Sequence, residues 1–244
     1  MRSLTATELL DVWEAGSAQT STGRALALLA AAWPDTPREA LAALSIGQRD
    51  ARLLMLREAL WGPEMAAVMV CPSCRERLDL PLNTRELLSK SPPILPGEIP
   101  LSVAEYTATF RLPTSLDVIT AGGQSDIEGS CAMILNRCLL SVQKGGVPVQ
   151  SVQLPSEVIE TIAKGMADAD PLADIQLDVK CPACGHLGQA IFDIVSFLWT
   201  EIEIWAWRML SDVHVLASAY GWCEREILGL SSTRRQFYLE MVGA

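Results

Sequence analysis

Four cysteines carry the spacing that matters for chemistry. Cys71-Pro72-Ser73-Cys74 and Cys181-Pro182-Ala183-Cys184 are two C-P-x-C units separated by 106 residues. A tight C-x-x-C turn sets two sulfurs on one side and aims backbone N–H groups at them. Two such turns supply four thiolates, a standard tetrahedral set for structural Zn²⁺ with Zn–S near ~2.3 Å. In small systems such binding contributes roughly 10 kcal/mol or more, enough to join distant hairpins. Reactive dithiols are the competing reading, because a C-x-x-C whose first Cys opens a helix has a lowered pKa. Here Leu78, Leu80 and Leu82 alternate with Arg77, Asp79 and Pro81 after the first unit. A period of two predicts a strand, not a helix. The second copy and Gly185 directly after Cys184 also favour one structural Cys₄ zinc ion. His186 is the one substitute ligand nearby.

No other constellation suggests catalysis. His214 lies among tryptophans and reads as a packed histidine. Asp168, Asp170 and Asp174 read as solvated turn residues. Gly122-Gly123 and Gly145-Gly146 lack the rest of any phosphate loop. Cys131, Cys138 and Cys223 stand alone in apolar or helical sequence and read as inert core thiols. Seven cysteines without an export signal argue for a reducing compartment and against a disulfide framework. The protein is therefore expected not to be an enzyme and to take no small-molecule substrate.

The elements that position the cysteines follow from periodicity. Residues 1–64 form an N-terminal helical region. It holds the capping box Thr5-Ala6-Thr7-Glu8, a helix starting with Thr36 as N-cap and Pro37 at its first position, and a helix from Gly47 to Trp61. Residues 65–192 form a zinc-ribbon region with knuckles at 65–83 and 174–192 and an inserted α/β segment at 84–173. The insert begins with a short helix over 83–90. Ser91 to Pro100, with four prolines, reads as a loop. Leu101 to Leu112 reads as a strand, Ser125 to Val142 as a helix, and Pro155 opens another helix. Residues 193–244 form a C-terminal helical region. Its long helix runs to Tyr220 and is stopped by Gly221. The fold class is mainly α with a small β zinc-ribbon module.

Composition narrows the partners. Half of the 244 residues are hydrophobic and the formal net charge is -10. Nucleic-acid affinity rests on Lys and Arg neutralising phosphates, so this charge argues against a DNA or RNA partner. The most apolar stretch, 190–220, is broken by charged residues and does not read as a membrane span. Trp199, Trp205, Trp207, Trp222 and Tyr238 exceed what one core layer needs, and aromatics are enriched at interface hot spots. They are the candidate partner-binding residues.

Several runs resemble a known family. They include Arg49-Asp50-Ala51-Arg52-Leu53-Leu54, Leu56-Arg57-Glu58-Ala59-Leu60-Trp61-Gly62-Pro63, both C-P-x-C units and Arg111-Leu112-Pro113-Thr114-Ser115. To these add Tyr220-Gly221-Trp222, Glu226-Ile227-Leu228 and Arg234-Arg235-Gln236-Phe237-Tyr238-Leu239. The set resembles the baseplate hub assembly chaperone-like proteins of bacterial contractile injection systems, which are related to contractile phage tails. The resemblance implies a non-enzymatic assembly factor or minor baseplate component. Its partners would be baseplate, hub or spike proteins, met in the bacterial cytosol during particle assembly, with retention in the finished baseplate as the alternative to release. The readings that compete are a cytosolic dithiol oxidoreductase and a zinc-ribbon nucleic-acid binder.

Overall fold

A computed structural model describes residues 1–90, 97–124, 126–150 and 154–243. In chain order, helices α1 (Ala6–Gly16), α2 (Ser21–Ala32), α3 (Arg38–Ala42) and α4 (Ile46–Trp61) come first. A hairpin of β1 (Glu64–Val70) and β2 (Arg77–Asn83) follows, then α5 (Thr84–Leu88). Strands β3 (Ile99–Val103) and β4 (Tyr106–Phe110), helices α6 (Ser115–Ala121) and α7 (Ile127–Cys138), strands β5 (Leu139–Lys144) and β6 (Val147–Pro148), and helix α8 (Ser156–Ala169) make up the middle. The chain closes with the hairpin β7 (Ile175–Lys180) and β8 (Leu187–Phe192), and with α9 (Ile194–Tyr220), α10 (Glu224–Leu228) and α11 (Ser232–Met241). The fold mixes helix and sheet. Among the described residues no helix is long and apolar enough to cross a membrane.

Two compact units emerge. One joins Met1–Pro34 to Val195–Ala244; the other is Asp35–Ile194. The first unit is helical. Thr5 and Glu8 cap α1 reciprocally, the backbone N–H of each residue donating to the other's side chain. Leu10, Ala206, Met209 and Leu228 form one core cluster, and Leu216, Ile227 and Leu239 another. Gly221 ends α9 in the left-handed region at φ 69°, its N–H donating to Ala217 O at 2.8 Å. Gly16 is required because a Cβ there would overlap the Trp199 ring.

The second unit is organised by α4. Ser45 caps it in a reciprocal box with Gln48. The N–H of Gly47 donates to buried Asp170 Oδ2 at 2.9 Å, and a Cβ on Gly47 would overlap that carboxylate. At the other end, Arg57 donates to the carbonyls of Gly62 and Glu64, fixing the turn into β1. Glu58 accepts from Thr84 Oγ1 at 2.7 Å and Arg85 Nε at 2.8 Å, fixing the exit from β2. The Leu-Arg-Glu-Ala-Leu-Trp-Gly-Pro run thus holds both ends of the first cysteine hairpin.

Strands β3-β4-β5-β6 form an antiparallel sheet in that order. Val158, Ile162 and Met166 recur every four residues on α8 and pack with Tyr106, Ala108, Phe110 and Val142 of the sheet. Beside it, Asp117 is fully buried. It accepts two hydrogen bonds from Arg111 (2.6 and 2.8 Å), one from Arg137 Nε (2.8 Å), and two from Thr114. Burial alone would raise its pKa, but Arg111, Arg137 and Thr114 outweigh that and hold the carboxyl well below the usual range.

Several expectations are corrected. The strand expected over 101–112 is two strands, because Ala104 turns the chain at φ 51° and Val103 pairs with Tyr106. Alternation continues through so tight a turn and hides it. The helix expected over 125–142 stops at Cys138, where Leu139 begins pairing with Phe110; sheet pairing overrides local helix preference. Pro37, not Thr36, is the N-cap of α3, which begins at Arg38. Residues 91–96 of the proline-rich loop lie outside the described residues, while Pro100 is inside β3. Asp170 is buried rather than solvated, and His214 is exposed rather than packed. Cys138 is buried as expected, but Cys131 and Cys223 are exposed.

Candidate metal centre

The two C-x-x-C units sit at the tips of the two hairpins. β1 pairs with β2 from Glu64↔Asn83 to Val70↔Arg77, and β7 with β8 from Ile175↔Phe192 to Lys180↔Leu187. Each tip folds the same way. Cys71 N–H donates to Glu76 O at 2.8 Å and Arg75 N–H to Cys71 O at 2.9 Å. Cys181 N–H donates to His186 O at 2.9 Å and Gly185 N–H to Cys181 O at 2.9 Å. The residue after the second cysteine is left-handed in both turns, Arg75 at φ 63° and Gly185 at φ 73°. Glycine adopts that conformation freely; arginine does so at a cost of about 1 kcal/mol.

The tips meet. All four sulfurs lie within 4.8 Å of one another. Cys71 Sγ is 3.8 Å from Cys184 Sγ, and Cys74 Sγ is 3.6 Å from Cys181 Sγ. Four sulfurs at ~2.3 Å from a tetrahedral ion have edges of about 3.8 Å, so the quartet has the dimensions of a thiolate cage. The first cysteine of each pair is 1% exposed and the second is exposed. Met69, Leu78 and Leu80 from one hairpin, and Leu177, Val179 and Ala190 from the other, pack beneath the sulfurs.

The electrostatics suit a cation. The backbone N–H groups of Cys74 and Ser73 point at Cys71 Sγ and lower its pKa to about 6, against the opposing effect of burial. For Cys74 the Glu76 N–H also favours the thiolate, but Cys184, burial, Cys181 and Cys71 together outweigh it and push the pKa up to about 12. Like charges this close cannot all ionise unaided. A divalent ion at the centre supplies the missing positive charge and deprotonates coordinating thiols. The donor set, the cage dimensions and the amide-lined turns therefore fit a metal such as zinc. Among the described residues this is the one group of three or more His, Cys, Asp or Glu placed to hold an ion.

The aromatic candidates are in the helical unit and do not converge on one place. Trp199, 4% exposed, is packed against Gly16 with Arg24 over its ring at 4.6 Å. Trp205 is half-buried in the cluster around Leu10. Trp207 is 63% exposed and meets Trp13 edge-on at 5.8 Å. Trp222 and Tyr238, both half-buried, belong to a separate aromatic group. Tyr220 stacks on Trp222 at 4.7 Å, and Tyr238 meets Trp222 edge-on at 4.9 Å. Phe237 extends this group and is exposed. Sequence reasoning missed the Asp117 hub, although Thr114-Ser115-Leu116-Asp117 has the spacing of a capping box.

A family model described as T4 bacteriophage base plate protein matches residues 26–199. That span is well over half of the chain and contains all four clustered cysteines. The chain belongs to that family. No curated protein and no solved structure matches it. Trp205, Trp207, Trp222 and Tyr238 fall outside the matched residues.

Proposed function

We propose that this protein is a non-enzymatic assembly factor or minor structural component of the baseplate of a contractile injection system. It acts through protein–protein contacts with hub, spike or other baseplate proteins in the bacterial cytosol during assembly. Membership of the base plate family over residues 26–199 carries the reading. One structural zinc ion held by Cys71, Cys74, Cys181 and Cys184 clasps the two hairpins as a zinc ribbon and so keeps β1–β2 and β7–β8 in a fixed arrangement. Strands, not helices, follow both C-x-x-C turns, which supports a structural rather than a redox role. Exposed Trp207 and the group around Trp222 and Tyr238 are the proposed partner-binding residues, in line with aromatic enrichment at hot spots.

The test is deletion of the gene in a system that builds such particles. Sheath and tube without complete baseplates, seen by electron microscopy, is the expected phenotype. Normal particles would sink the proposal. Trp207→Ala and Tyr238→Ala proteins should remain folded and lose capture of a baseplate protein from the same system.

A further inference from the structure

The cysteine cage is not equivalent on all sides. Its buried sulfurs are the first of each pair, Cys71 and Cys181; its exposed ones are the second, Cys74 and Cys184. The sulfur within 3.6 Å of exposed Cys74 is buried Cys181, and the one within 3.8 Å of exposed Cys184 is buried Cys71. Both pairings cross from one hairpin to the other. We infer that peroxide converts the metal clasp into a covalent one, joining the hairpins through Cys74–Cys181 and Cys71–Cys184 disulfides as the ion leaves. This rests on the cage holding a metal.

The chemistry balances as follows. The exposed Cys74 thiolate attacks one peroxide oxygen; the O–O bond breaks, leaving a sulfenic acid and hydroxide. The Cys181 thiolate attacks that sulfenic sulfur, the S–S bond forms, and a second hydroxide departs. Cys184 and Cys71 repeat the sequence. Four thiolates lose four electrons to two peroxides, and four protons from solvent complete four waters. The divalent ion, stripped of anionic ligands, is released. An S–S bond needs about 2.05 Å, so each pair closes by less than 2 Å. The apolar layer beneath the sulfurs holds the hairpins together during that closure. Oxidation would thus leave the two tips covalently joined after the ion has gone.

The sequence makes the products easy to tell apart. Cleavage after Lys and Arg puts Cys71 and Cys74 on one peptide, Glu58–Arg75, and Cys181 and Cys184 on another, Cys181–Arg208. The full chain carrying Cys131→Ser and Cys223→Ser, which removes the other exposed thiols, is first assayed for metal. Absence of stoichiometric metal overturns the cage reading itself. Metal-loaded protein is then treated with two equivalents of hydrogen peroxide, followed by a chromogenic chelator and by mass spectrometry without reduction. Release of one equivalent of metal with the two peptides disulfide-joined is expected. In the Cys74→Ser variant the peptides should still be joined, now through Cys71–Cys184. Separate peptides, each with an internal disulfide, overturn the inference while leaving the metal reading intact; so does a cage that keeps its metal while Met residues oxidise.

Discussion

Two β-structures in one unit are held by different means. The sheet β3–β6 rests on α8 over a buried layer of Tyr106, Phe110, Val142, Val158 and Ile162. The layer under the cysteine tips is smaller: Leu78, Val179 and two sulfurs are buried, with Met69, Leu80, Leu177 and Ala190 packed half-buried against them. Apolar burial contributes roughly 1.5–3 kcal/mol per large side chain, so the sheet core stabilises its strands more than the smaller layer stabilises the tips. A metal ion held by the four cysteines would add what burial there does not supply, as structural metals do in small scaffolds. The difference implies that the two regions fail separately.

The largest effect should come from the metal. Stripping it with a chelator under reducing conditions, or Cys181→Ser, is expected to cost on the order of 5 kcal/mol or more. Hydrogen exchange should rise across 64–83 and 175–192 and stay slow across β4 and α8. Uniform loss of protection would break the comparison. Phe110→Ala comes next, at about 3–5 kcal/mol from a cavity in the sheet core. Its metal content should match that of the unaltered protein; a drop would show the regions to be coupled.

Asp117→Asn should cost less, about 2–3 kcal/mol, because its arginine partners are part-exposed and water softens their loss. Its folded pKa lies below the unfolded value near 3.9, so its contribution is present above that value and disappears as pH falls below it. Thermal melts of Asp117→Asn should lose part of the acid-side destabilisation. Asp50 has the opposite sign. Burial, opposed by Arg49 at 2.7 Å, raises its pKa to about 6. Its share of stability is full below pH 4 and lost as pH rises through 6. Asp50→Asn should flatten that decline, by about 2–3 kcal/mol. The smallest change sharpens the likeness between the hairpins. Arg75→Gly, which copies Gly185, should stabilise by about 1 kcal/mol in denaturant titrations, and Gly185→Ala should cost a similar amount.

The residues matched by the base plate family include all four clustered cysteines. In the proposed baseplate role a surface is useful only if the elements beneath it hold position. The aromatic residues proposed as partner-binding fall in two groups, Trp207 with Trp13 and Trp222 with Tyr220 and Tyr238.

By itself the sequence determined what depends on neighbours along the chain. The capping boxes at Thr5 and Ser45 are local hydrogen bonds, and Gly221 ends α9 because it alone accepts the left-handed turn there. The strand after Cys74 follows from the alternation of Leu78, Leu80 and Leu82, and β2 forms there. Tertiary structure decided what depends on partners far away. Meeting of the tips across 106 residues, conversion of Leu139 from helix to strand by pairing with Phe110, and burial of Asp117 under Arg111 and Arg137 are all set by elements distant in sequence. The physical reason is the same in each case. Short-range torsion and hydrogen bonding are written in a few adjacent residues, whereas burial and long-range pairing depend on which surfaces the folded chain brings together.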